Sequence, residues 1–265
     1  MIRFSFPAAA LGVGLTLGLG APAQGQLSEF FEDFESLDVA SPTALSDTGW
    51  QLFVAGINGI PGDPLLDNFG VGPFPAPNNS VASGANPTIS VVSDFPSGGD
   101  PPAGDQGLVF FTDVTNADIF LDDGDTDPRD LVLSLFQEQI VAPENVGQTW
   151  TFSWLAEGND FPPTGEAIAE AFLLTLDSTG FFPTTDQAVV TTAVPDGAPT
   201  PGSLSLLITP ELVGDILQFG FRNTASDFEG SAVDYDNVSF VPEPASFALL
   251  GLGGVLLASR RRRSA

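Results

Sequence analysis

Apolar and polar residues alternate along much of the chain with a period of two, the repeat of a strand that has one wet face and one buried face. Trp150, Phe152 and Trp154 share one face while Thr149, Thr151 and Ser153 share the other, and Leu217, Phe219 and Phe221 repeat the pattern downstream. Segments of this kind, bounded by turn-forming residues, predict strands at 30–37, 50–55, 88–93, 107–112, 131–140, 149–156, 168–177, 203–208, 216–223 and 233–240. Half-buried antiparallel strands pack as an all-β, two-sheet β-sandwich. Residues 63–104 are rich in Pro, Gly, Asn and Ser around one short strand, and read as a long surface excursion. With no internal repeat and no second core, residues 24–240 read as one domain.

Two continuous apolar runs break the alternation, one at each end. Residues 1–23 have Arg3 in a short leading region, an apolar run at 8–20, and Ala21-Pro22-Ala23 as a small-x-small cleavage site. That is the form of a secretory signal peptide, with Ala21 and Ala23 in the small pockets of signal peptidase. At about 1.5 Å per residue the run reaches only about 20 Å, short of a bilayer's hydrocarbon. The second run, 245–259, follows Val241-Pro242-Glu243-Pro244 and precedes Arg260, Arg261, Arg262 and Arg263. A helix of this length crosses a membrane only where the bilayer thins or the flanking arginines snorkel, and the Arg cluster keeps its end in the cytoplasm.

Composition narrows the chemistry. The chain has no Cys, no His and no Lys, which removes imidazole- and thiol-based nucleophile systems, the Ser-Lys variant and the usual zinc sites. The seven basic residues are Arg3, Arg129, Arg222 and Arg260 to Arg263, so residues 24–240 hold 33 acidic residues against two arginines. Nucleic acid and anionic membrane surfaces are poor partners for such a domain. Solubility in salty surroundings and divalent cation binding are the two readings of this acidity.

The end of the chain resembles a known family. Pro242-Glu243-Pro244, an apolar Gly-containing segment and a terminal Arg cluster are similar to the PEP-CTERM sorting signal of Gram-negative bacteria. The resemblance implies that residues 241–265 are held in the inner membrane. It also implies that an exosortase, a membrane-embedded cysteine transpeptidase-like enzyme, acts near Pro-Glu-Pro and passes the domain to the cell surface or beyond. It transfers an address and no activity. A second resemblance, to the jelly-roll domains of carbohydrate-binding modules, lies in Phe31-Glu32-Asp33-Phe34-Glu35, in 147–154, in 172–177 and in 234–240. It implies that the first and last strands lie together and share a structural calcium site, with Glu32, Asp33 or Glu35 opposite Asp234 or Asp236.

A further calcium candidate is the acidic cluster Asp123, Asp125, Asp127 and Asp130, whose hard oxygens stand at close spacing. It departs from an EF-hand loop: counted from Asp123, Pro128 stands where Gly is needed and Ser134 where the bidentate Glu belongs. The alternative is a solvated acidic turn. For Trp150 and Trp154 the expectation is core packing. These features favour an exported, noncatalytic protein that binds a polysaccharide or matrix glycan, or serves a structural role. A carboxylate-only glycosidase is the enzymatic alternative. Ice binding would want regular Thr-rich strands, and the pairs Thr184-Thr185 and Thr191-Thr192 do not make one.

Overall fold

The computed structural model describes residues 26–58, 69–78, 88–92, 103–112, 129–158, 168–180, 182–192, 199–225 and 231–243. The expected signal peptide with Ala21 and Ala23, the apolar run 245–259, Pro244 and Arg260 to Arg263 lie outside these residues, as do Asp123, Asp125 and Asp127. Among the described residues no helix is long and apolar enough to cross a membrane.

The strands are β1 (Phe30–Glu32), β2 (Gln51–Asn58), β3 (Phe69–Pro75), β4 (Thr88–Val92), β5 (Gly107–Thr112), β6 (Arg129–Ile140), β7 (Thr149–Gly158), β8 (Ile168–Leu176), β9 (Thr184–Thr191), β10 (Thr200–Leu207), β11 (Ile216–Ala225) and β12 (Ser231–Pro242). A single short helix, α1 (Ala44–Asp47), lies between β1 and β2. One sheet runs β10-β7-β12-β5-β4 with β1 also on β12, and the other runs β3-β2-β6-β11-β8-β9. The expected antiparallel sandwich is what the chain forms.

Alternation places the core. Along β7 the buried positions are Trp150, Phe152, Trp154 and Ala156, with half-buried residues between them. Along β11, Leu217, Phe219 and Phe221 point the same way from the opposite sheet. Aromatic contacts then join the layers: the Phe219 ring stacks on Phe240 at 4.3 Å, and Phe221 stacks on Tyr235 at 3.7 Å. Each such side chain contributes about 1.5–3 kcal/mol by leaving water, and stacked pairs add about 0.5–1.5 kcal/mol.

Two connections between the sheets have the same form. The link from β6 to β7 reads Val141-Ala142-Pro143-Glu144-Asn145-Val146-Gly147, and the link from β10 to β11 reads Ile208-Thr209-Pro210-Glu211-Leu212-Val213-Gly214. Each makes a 3-10 turn at its Pro-Glu-x. Each ends on a glycine in the left-handed region, with φ of 85° at Gly147 and 94° at Gly214. The two lock together reciprocally: Gly147 N donates to Ile208 O as Gly214 N does to Val141 O, and Ile208 N donates to Gln148 O as Val141 N does to Asp215 O. The expectation of no internal repeat is therefore corrected for this pair of links.

Three strand expectations also change. The first strand stops at Glu32 instead of reaching residue 37, because the Glu32 carboxylate accepts from Phe34 N at 2.9 Å and Phe34 turns to a φ of 59°. Strands β3 and β9 stand where no strand was expected. The first lies inside the Pro- and Gly-rich excursion, and the second is exposed on nearly every residue, so neither displays the alternation of a half-buried strand.

Candidate functional site

The first and last strands do lie together, with Phe30 opposite Phe240 and Glu32 opposite Val238. β7 follows one edge of β12. The other edge is shared by β5, which pairs with β12 from Ser231 to Tyr235, and β1, which takes over from Val238. Asp236 and Asn237 fill the seam between them. There the register against β7 shifts and Asn237 adopts a φ of 47°. This bulge holds Val233 and Tyr235 in the core before it and Val238 and Phe240 in the core after it.

Carboxylates tie the loops into that seam. Asp236 Oδ2 accepts from Ala103 N at 2.8 Å, and its Oδ1 accepts from Asn237 N. Glu35 Oε1 accepts from Asp105 N at 2.7 Å and from Gln106 N at 3.0 Å. Gly104 sits between these donors at a φ of 66°, where any Cβ would collide with the Glu35 carboxylate. Burial pushes the Asp236 carboxyl up to about 6; its two amide bonds oppose the rise, and Glu35 and Asp33 add to it.

The expected calcium residues are thus divided. Glu35 and Asp236 face one seam, with Asp33 in electrostatic reach of Asp236. Glu32 is turned elsewhere: its carboxylate caps Phe34 and bonds Thr48, and burial raises its pKa. Asp234 is buried on β12 opposite Glu157 of β7 and Val109 of β5. Asp130 is placed in β6 opposite Ile57. Among the described residues no group of three or more acidic side chains gathers to hold a metal ion. The seam nonetheless offers two carboxylates and one neutral oxygen: Gln106 Oε1 is buried and without a hydrogen-bond partner among the described residues. Its Nε2 donates to Glu35 O, which places it beside that residue. Oxygen donors of this kind fit a hard cation.

The start of the sorting segment is part of the fold. β12 continues through Val241, opposite Thr151, and Pro242, opposite Trp150. Glu243 N then donates to Thr149 O at 2.8 Å. The Glu243 carboxylate lies 3.3 Å from both the Thr151 and the Ser205 hydroxyls, which are themselves 2.8 Å apart. The domain therefore runs two to three residues past the expected boundary at 240. Thr151 and Ser205 were not expected as site residues, since alternation alone marks them as the wet face of two strands.

A third feature is the outer face of the second sheet. Phe136, Phe172 and Leu174 form a small cluster there with Phe53 and Leu176. Gly220, directly between Phe136 and Phe172, allows β11 to lie against the Leu135 carbonyl. Arg222 covers the Phe172 ring at 5.0 Å and pairs with Glu170 at 3.6 Å. By contrast Trp50, Trp150 and Trp154 are all in the core, as expected for the last two. Thr185 and Thr192 are also in structural use, on Asp215 and Tyr235.

Comparison with known proteins fits this division of the chain. Residues 240–263 match the PEP-CTERM protein-sorting motif. The chain is thus a β-sandwich that ends in a sorting motif, which implies export and a membrane-anchored sorting signal. No curated protein matches it. Among solved structures it is similar to the enzymatically active domain of bacteriophage CBA120 tailspike protein 4, at 13% identity and a TM-score of 0.41 over 78% of this chain and 21% of that one. The chain therefore spans about a fifth of the tailspike chain. It is also similar to an apo form cyclase from Fischerella sp., at 14% identity and 0.41, over 84% and 92% of the two chains. A third is the CBM22-1 xylan-binding domain from Paenibacillus barcinonensis Xyn10C, at 10% and 0.36, over 58% and 80%. These likenesses concern the sandwich and say nothing of a ligand.

Proposed function

We propose that the protein is exported, anchored in the inner membrane by its tail, and released to the cell surface or surroundings by an exosortase, where it acts without catalysis. The observation that carries the reading is the use of its carboxylates. Glu35 and Asp236, the two carboxylates that meet at the seam, are both committed to backbone amides that close loops. A carboxyl held by fixed main-chain donors stabilises a fold; it is poorly placed to trade a proton with a substrate. Calcium at the seam belongs to this proposal, with Glu35, Asp236 and Gln106 as its ligands and charge neutralisation as its contribution.

Glycan binding is the more specific form of the role. It is supported by the outer face of the second sheet, where the half-buried Phe53 stands in one row with Ser134, Arg222 and Glu170, Gln218 pairs with Glu138, and Phe172 is buried beneath Arg222. An apolar ring flanked by charged and amide groups suits sugars, which present apolar faces and hydroxyl edges. The test is a polysaccharide panel scored for retention and for release of reducing ends. Retention without release is expected, and Arg222→Ala should weaken it. Release abolished by a single Asp or Glu replacement in a folded variant would make the protein a glycosidase instead. Neither retention nor release would leave a structural role.

A further inference from the structure

The sorting motif is attached to the domain and also docked on it. Val241 and Pro242 complete β12 against Thr151 and Trp150, and Glu243 N extends the ladder by one bond to Thr149 O. A proline is tolerated at a strand end, so Pro242 does not unzip it. Beyond the backbone, three side-chain oxygens meet on one surface: Glu243 Oε1, Thr151 Oγ1 and Ser205 Oγ. Two hydroxyl protons serve these three contacts, so at most two bonds form at once. Either one hydroxyl donates to the other and the remaining proton goes to the carboxylate, or both donate to the carboxylate. Both arrangements hold Glu243 over the junction of β7 and β10, far in sequence from the tail.

We propose that the domain clasps its own sorting motif, and that release of Glu243 from Thr151 and Ser205 limits the rate at which the tail is processed. This inference rests on the sorting reading. An enzyme that works on an extended peptide needs the backbone groups of that peptide, and on residues 241–243 one edge is already taken by β7. Processing at Pro-Glu-Pro then requires those residues to peel from β7, while the bulk of the sandwich stays folded. Glu243 is exposed and the contacts to it are long, so the clasp is weak and opens readily. It acts as a brake.

The test uses the full chain, in cells that carry the sorting enzyme. Thr151→Val combined with Ser205→Ala removes both hydroxyls at surface positions and leaves the strand residues in place. Loss of the tail is followed by pulse-chase, and exchange of the Glu243 amide is measured on the same purified chains. The double variant should process about 3- to 10-fold faster and exchange the Glu243 amide faster by a similar factor. Thr151→Ser, which keeps a hydroxyl, should behave as the parent does. Faster exchange with an unchanged processing rate would overturn the clasp, and so would unchanged exchange. A tail that persists in parent and variant alike would instead overturn the sorting reading on which the inference rests.

Discussion

At the scale of single residues, Asn145 shows how one buried polar group can hold distant chain together. It is fully buried in the turn after β6, and its Oδ1 accepts from Ala142 N at 2.9 Å and from Leu27 N at 3.1 Å. The first contact shapes the turn; the second ties the segment before β1 to it. In the matching link the same place is filled by Leu212, whose apolar side chain has no acceptor to offer and packs in the core instead. Replacing Asn145 with Ala or Leu strands two buried amides at about 1–3 kcal/mol each. We expect Asn145→Ala to lower the free energy of unfolding in urea by about 2–4 kcal/mol. A loss below about 0.5 kcal/mol would mean that water or neighbouring groups replace the asparagine.

At the scale of elements, β12 carries the pH response. Asp236 sits in its bulge with a carboxyl raised to about 6 from an ordinary value of 3.8, and Glu32, on the neighbouring β1 and turned toward Phe34 and Thr48, is raised as well by burial. A raised folded-state pKa means that the native protein binds the proton more tightly than the unfolded chain does. The stability from that proton is fully present below about pH 4 and is lost as pH climbs through about 6. The urea midpoint should therefore rise as pH falls from 7 to 5, and Asp236→Asn should flatten the rise; a midpoint that falls over that range would refute it. How much of this was legible follows from the pattern each element leaves. β7 and β11 are plain in the sequence because they alternate. The bulge is not, since an unbroken strand over 233–240 would put Val233 and Tyr235 on one face and Val238 and Phe240 on the other. The paired Pro-Glu-x-Val-Gly links are too short to read as an internal repeat, and their significance lies in hydrogen bonds between them that no spacing reveals. The seam itself was half legible: proximity of the first and last strands followed from resemblance, but the roles of Ala103 and Gln106 there, and of Thr151 and Ser205 beside Glu243, depend on which loops and strands meet.

At the scale of the molecule, the charge balance decides how the fold answers its surroundings. The 33 acidic residues of 24–240 stand against two arginines, and Arg222 is already engaged with Glu170. Self-repulsion of this size weakens the compact state and is relieved in two distinguishable ways. Any salt screens it over distances beyond about 8 Å at physiological ionic strength, without regard to which carboxylates are close. The calcium ion proposed for the seam would act locally instead, by neutralising Glu35 and Asp236 and giving Gln106 Oε1 the partner it lacks among the described residues. Thermal unfolding should separate the two when ionic strength is held constant with sodium chloride. Calcium at millimolar concentration should raise the midpoint above that seen in chelator, and a ligand at a hundred times its dissociation constant adds about 2.7 kcal/mol. Glu35→Gln should remove the calcium-specific increment and leave the response to sodium chloride intact, because it deletes one charge of many but half of the seam's pair. Superimposable melting curves in calcium and in chelator would show that backbone amides alone satisfy these carboxylates and that the acidity serves only as a solvated surface.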